Sequence, residues 1–314
     1  MKEQMKNRCY LSIVSPVYAA EKIVDELVNR ITLEADKITS DYEIVLVEDG
    51  GQDNSWTKIM ENGKKNSKVK GIKLSRNFGQ QYAITAGLEN ASGDWVIVMD
   101  CDLQDNPSYI KDLLKKAKEG FDIVYTSKQK RTHNFLKNFF AKIYFLLFNY
   151  LTDNQSADDK TGAYSILSRK AVDAFCLIKD AHRHYLMVLR ILGFKSTTIT
   201  IEHEKRFEGE SSYSFFKLLK LAMNGIVSQS DKLLRISISI GFTLFIISFI
   251  WTIYLVVLYF TGSPPPGYTS MMVMLLLSTG LILISIGVAG IYIGKIFEQV
   301  KDRPLYFIDE KINI

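Results

Sequence analysis

Asp100, Asp102 and Gln104 are the residues best placed by type and spacing to do chemistry in this chain. Two carboxylates stand two positions apart, and an amide oxygen follows two positions later. They come directly after the apolar run Trp95-Val96-Ile97-Val98-Met99. A short apolar run of this kind reads as a buried strand that ends where the polar residues begin. The acidic pair then sits at the carboxyl end of a strand, the edge at which open α/β sheets bind ligands. Oxygen-only donors suit a hard divalent cation such as Mg²⁺, which usually arrives with substrate phosphates. The spacing fits a diphosphate-handling metal site. It fits a solvated strand-to-loop turn equally well.

The elements that position these residues follow from the rest of the first half. Tyr10 to Ser15 runs as a strand into Pro16, and Glu43 to Val47 as a second strand ending at Glu48-Asp49-Gly50-Gly51. Lys70 to Leu74 and Asp122 to Thr126 read as further strands. Helical periodicity covers Glu21 to Ile38, Ser55 to Lys65, Gln80 to Asn90 and Pro107 to Glu119. Strands alternating with helices imply βαβ units and a doubly wound, mostly parallel sheet.

The overall composition is that of an ordinary globular protein. The 314 residues are 47% hydrophobic and 23% charged, with a formal net charge of +5. That average hides two uncharged runs, Ile236 to Phe260 and Met271 to Gly294. At ~1.5 Å per helical residue, each is long enough to cross a hydrocarbon core of ~30 Å. Lys232 and Arg235 precede the first run, and Lys295, Lys301 and Arg303 follow the second. The positive-inside rule then puts both ends, and the large N-terminal part, on the cytoplasmic side of an inner membrane. Residues 135–150 and 213–231 are aromatic and basic. They read either as interfacial helices in the headgroup plane or as helices packed on the globular part. Cys9, Cys101 and Cys176 are scattered thiols without metal or redox spacing, as expected of a reducing compartment. No nucleic-acid partner is expected. Glycines at 280, 287, 290 and 294 offer small-residue packing surfaces that would suit a homo-oligomer.

These stretches together resemble the family 2 glycosyltransferases of GT-A fold. Within them the likeness is to the polyprenyl-phosphate glycosyltransferases, which include dolichol-phosphate mannose synthases and bactoprenol-phosphate glucosyltransferases. Ser15-Pro16-Val17-Tyr18 is similar to the family's opening PVYNE, and Val47-Glu48-Asp49-Gly50-Gly51-Gln52-Asp53 to its VDDGSTD. Asn77-Phe78-Gly79-Gln80 and Ala86-Gly87-Leu88 resemble the next block. Met99 to Pro107 resembles MDADLQDPP almost residue for residue. Arg206-Phe207-Glu208-Gly209-Glu210-Ser211 resembles an RF-G-ES loop, and Val300 to Tyr306 the closing VK-RP-Y.

The resemblance implies a GT-A domain over 1–212, a juxtamembrane helix over 213–231, transmembrane helices over 236–260 and 271–294, and a cytosolic tail over 295–314. It implies donor binding by Pro16, Tyr18, Glu48, Asp49, Asp100, Cys101, Asp102 and Gln104. Asp100, Asp102 and Gln104 would hold Mg²⁺ or Mn²⁺ against the diphosphate. Lys128, Arg131, Lys137 and Arg206 would meet the donor diphosphate and a lipid phosphate, with Asp100, Asp102 and Arg206 carrying the catalysis. The donor would be a UDP- or GDP-sugar and the acceptor undecaprenyl phosphate.

Several positions depart from the family pattern. Ala19-Ala20 stands where PVYNE has its polar pair, and Glu21 comes one step late. Lys128 replaces an Arg, keeping the charge and losing the bidentate fork. Ser212 replaces a Lys. Ala163 stands where many relatives have the Asp of GDF, a residue proposed as a base. Asp105, Asp158 and Asp159 are the acids nearby. A lipid monophosphate, with a second pKa of about 6, is already largely dianionic at neutral pH and needs little base, whereas a sugar hydroxyl would need one. The expected function is therefore transfer of a sugar to a polyprenyl phosphate for cell-envelope glycan synthesis. The alternatives are transfer to a hydroxyl acceptor and a non-catalytic scaffold or lipid-flipping subunit.

Overall fold

A computed structural model describes residues 9–128, 161–181, 183–202, 232–261 and 267–314. It falls into two compact units. The first takes in the N-terminal part and returns for Arg303–Ile314; the second contains Tyr213–Asp302.

The first unit is built on one sheet. Its strands are β1 (Leu11–Val17), β2 (Tyr42–Glu48), β3 (Val69–Leu74), β4 (Trp95–Val98), β5 (Ile123–Lys128), β6 (Thr161–Ser168), β7 (Ser196–Ile201) and β8 (Ile308–Ile312). They lie in the order β7-β5-β6-β4-β1-β2-β3-β8. The block β3-β2-β1-β4 is parallel, as is β5 with β7, while β6 and β8 run antiparallel to their neighbours. The expected mostly parallel sheet is present, with two antiparallel additions. The segment expected as a cytosolic tail contains β8. Its charged centre, Asp309-Glu310-Lys311, is exposed, as suits a strand at a sheet edge.

β1, β2 and nearly all of β4 are buried on both faces, so they read as mostly apolar runs, while β3 keeps Lys70 and Lys73 half-exposed. Helices α1 (Val24–Asp36), α2 (Ser55–Lys65) and α4 (Ile110–Ala117) contribute to the core on one face. Helices α3 (Gln80–Asn90), α5 (Arg169–Leu177) and α6 (Tyr185–Ile191) cover the other. The close approach of α3 depends on Gly87, where a Cβ would lie 2.3 Å from a Val14 methyl.

Buried polar groups tie the amino ends of the central strands together. The Glu43 carboxylate accepts from the Ser12 hydroxyl at 2.6 Å, the Ser92 amide at 2.5 Å and the Lys70 ammonium at 2.5 Å. Burial by itself would raise this carboxyl's pKa. The bonds from Lys70, Ser12 and Ser92 outweigh it and hold the group below its ordinary value. A carboxyl with a lower pKa in the folded chain adds stability above its unfolded pKa, and that stability drains away as pH falls through the folded value. Glu43→Ala should cost ~3 kcal/mol at neutral pH, because Lys70 and two donors lose their acceptor. Urea titrations at neutral and acidic pH check this: the difference between wild type and variant should shrink on acidification.

In the second unit, α7 (Lys232–Phe260) and α8 (Tyr268–Val300) contain segments long and apolar enough to cross a membrane. They contact one another. The expected spans 236–260 and 271–294 fall within them. A Cβ at Gly280, Gly287, Gly290 or Gly294 would meet none of the described residues within 4 Å. The expected amphipathic segments 135–150 and 213–231 lie outside the described residues.

Candidate active site

The carboxyl ends of β1, β2, β3 and β4 carry the candidate site. Each of the four loops that leave these strands contains one residue with a left-handed backbone: Ala19 (φ 49°), Gly50 (φ 62°), Gly79 (φ 108°) and Leu103 (φ 58°). Gly takes such angles freely. Ala and Leu do so at a cost of ~1–2 kcal/mol, and such strain gathers where a fixed loop shape serves function. At Leu103 the backbone turn buries the leucine side chain beneath the loop. Asp100 and Asp102 flank Cys101 on the approach to this turn. The Gln104 amide donates to Asp102 Oδ1 at 3.1 Å.

A second carboxylate pair holds the neighbouring loops. Glu48 accepts from the Gly50 amide at 3.2 Å and from the Gly51 amide. Asp49 accepts from the amides of Phe78 and Gly79 at 2.8 and 2.9 Å. Desolvation raises the pKa of both carboxyls, and these amides partly offset it. Between the β1 and β2 loops, Glu21 accepts from the Asn54 amide at 3.0 Å, and Asp53 accepts from the Glu21 amide at 3.0 Å. The acid that comes one step late in the sequence thus ties the β1 and β2 loops together.

Gln80, the first residue of α3, donates from Nε2 to Asp100 Oδ1 at 2.6 Å. In the sequence Gln80 stands out only as the last residue of the Asn77-Phe78-Gly79-Gln80 motif. The structure shows it orienting one of the two carboxylates at the end of β4. Partners that orient a ligand in this way typically shift metal affinity 10- to 100-fold. Gln80→Ala should therefore weaken Mn²⁺ binding by roughly tenfold, read by isothermal titration of the metal into the nucleotide-bound protein.

A family model described as glycosyl transferase family 2 matches residues 12–175, the stretch that holds all four loops. The chain belongs to this family. It is 35% identical to the uncharacterized glycosyltransferase YkcC of Bacillus subtilis, over 99% of this chain and 96% of that protein. It is 33% identical to the uncharacterized glycosyltransferase sll0501 of Synechocystis, over 96% and 95%. Among solved structures it resembles glucosyl-3-phosphoglycerate synthase from Mycobacterium tuberculosis, in complex with Mn²⁺ and uridine-diphosphate-glucose. That match has a TM-score of 0.51 at 13% identity, over 70% of this chain and 77% of that one. The sheet of this glycosyltransferase is thus a GT-A sheet.

Of the expected site residues, Asp100, Asp102, Gln104, Asp49 and Tyr18 lie on these loops in the glycosyltransferase, and Glu48 ends β2. Tyr18 is exposed just past β1, and Pro16 is buried within the strand. Cys101 packs against the hydrophobic core, and burial pushes its thiol up to about 12. Its side chain is an anchor beneath the turn. Lys128 ends β5. Arg131, Lys137, Arg206, Asp158 and Asp159 lie outside the described residues. Asp105 is buried, and its neighbour Asn106 does the helix capping, accepting from the Ser108 amide at 2.9 Å. The last β4–β6 pair is Val98 with Ser165. Continuing this antiparallel register by two residues brings Ala163 level with Asp100.

Proposed function

We propose that this chain is a metal-dependent, inverting glycosyltransferase that moves one sugar from a nucleotide-sugar donor to a polyprenyl phosphate at the cytoplasmic face of a membrane. One observation carries the reading. The Asp100–Gln104 turn, braced by Gln80, belongs to a family 2 chain that continues into two helices apolar enough to cross a bilayer.

The donor set suits Mg²⁺ or Mn²⁺. Among the described residues no group of three or more His, Cys, Asp or Glu side chains gathers. The rest of the coordination shell would fall to donor phosphates and water, which these ions accept and a structural zinc site does not. When bound, the ion neutralises charge on the departing nucleoside diphosphate. Asp100 and Asp102 would hold it, with Gln104 as a third oxygen. Asp49 and Glu48 fix the loops under the nucleotide, and Tyr18 offers an exposed ring beside it.

The acceptor phosphate oxygen attacks the anomeric carbon from the face opposite the diphosphate. The bond to the diphosphate oxygen breaks with its electron pair, and the configuration inverts. A dianionic phosphate has no proton to lose, which agrees with Ala163 at the level where a base would be useful. Lys128, Arg131, Lys137 and Arg206 are proposed to meet the two anions.

Full-length protein should be incubated with Mn²⁺, undecaprenyl phosphate and a panel of nucleotide sugars that begins with UDP-glucose. A lipid-linked sugar is expected with one donor. Nucleotide release only upon addition of a glycan or protein acceptor would overturn the lipid acceptor.

A further inference from the structure

The chain re-enters the sheet at β8 soon after α8 ends, and the residues just before β8 meet the Arg76–Gly79 loop. The Ser75 amide donates to the Phe307 carbonyl at 3.0 Å, extending the β3–β8 ladder past a register shift between Lys73 and Leu74. The Phe307 ring lies 6.4 Å from the Phe78 ring, tilted at 47°. The Arg76 guanidinium sits 4.6 Å over the same Phe78 ring. On its other side, the Phe78 and Gly79 amides are held by Asp49. The loop has no helix or strand hydrogen bonding of its own. It is fixed between Asp49 and the C-terminal segment. One residue earlier, the Tyr306 hydroxyl donates to Glu89 on α3, which pins the segment from the helix side.

From this geometry we propose that Phe307 is a positioning residue for the nucleotide end of the donor site. It acts through Phe78, setting the loop that presents Arg76 and engages Asp49. This rests on the nucleotide-sugar reading above. It adds that a residue contributed from beyond the apolar helices completes the donor site. Phe307 remains 56% exposed, so this aromatic pair acts through relative ring geometry more than through buried area. Its loss should loosen the loop without unfolding the sheet, because the β8 ladder and the Lys73 ion pairs to Asp309 and Glu310 remain.

The test titrates UDP and GDP, each with Mn²⁺, into the full-length protein and its Phe307→Ala and Phe307→Tyr variants. Phe307→Ala should weaken binding of the preferred nucleotide about tenfold, and Phe307→Tyr should restore it. Lys311→Ala is the control. It removes a β8 contact to Asn90 that lies away from the loop and should leave nucleotide affinity unchanged. If Phe307→Ala loses its melting transition, Phe307→Leu replaces it, with about a threefold weakening expected. Equal affinity in wild type and Phe307→Ala, or the same loss in Lys311→Ala, overturns the positioning role and leaves the donor reading standing. No binding of either nucleotide by the wild type overturns both.

Discussion

Asp102→Asn should lower sugar transfer roughly 10³-fold while leaving the protein folded. The amide keeps the size and an oxygen that can still accept from the Gln104 amide, the contact that shapes the turn. It removes the negative charge that a divalent cation needs. Asp102 is only partly buried, so little stability rides on it. The melting temperature should stay within about 2 °C of wild type. A transfer assay at saturating Mn²⁺ and donor, run beside a thermal melt, checks both halves. Transfer within tenfold of wild type would remove Asp102 from the metal set. A large loss of melting temperature would make the turn structural.

Gly50→Ala should be among the most damaging single changes in the loops of the candidate site. Two effects coincide at this residue. Its φ of 62° disfavours any side chain, and a Cβ would lie 2.1 Å from the Arg76 carbonyl carbon and 2.3 Å from the Asn77 nitrogen. Both obstacles are backbone, so neither can swing aside. The β2 loop would have to part from the β3 loop, taking Asp49 from the Phe78 and Gly79 amides. The expected cost is about 3 kcal/mol or more, together with loss of nucleotide binding. Gly193→Ala is the matching control. Its φ is 66°, but nothing lies within 4 Å of the added Cβ. Only the conformational penalty of ~1 kcal/mol remains there. Chemical denaturation of both variants separates collision from conformation; equal costs would mean that the close approach of the two loops contributes nothing.

The central strands were legible because a strand buried on both faces leaves a continuous apolar run. Leu11–Val17, Tyr42–Glu48 and Trp95–Val98 are such runs, each leading into one of the loops of the candidate site. Later strands left weaker traces. β6 begins Thr161-Gly162-Ala163, too small and polar to mark a strand, and β7 alternates Ser and Thr with Ile at a half-exposed edge. β8 carries three charges in five residues, and its partner β3 lies more than two hundred positions earlier. No local pattern reveals such a pairing. The same limit applies within the site. Asp100 and Asp102 declare themselves by spacing, whereas Gln80 and Phe307 act through contacts across the fold. Cys101 sits between the two acids in sequence and turns to the core in space.

β7 and β8 are the two outermost strands of the sheet, at opposite edges, and the chain runs through α7 and α8 between them. Cutting the chain before α7 therefore does not release an intact catalytic domain. It deletes one border of the sheet and bares β3 along its whole hydrogen-bonding side, with the apolar groups that β8 covers at Gly71. An uncovered edge of this kind recruits other chains. A truncated version of this enzyme must therefore keep residues 303–314 as the closing strand, on a linker long enough to cross from β7 to β8, about 34 Å at ~4.8 Å per strand.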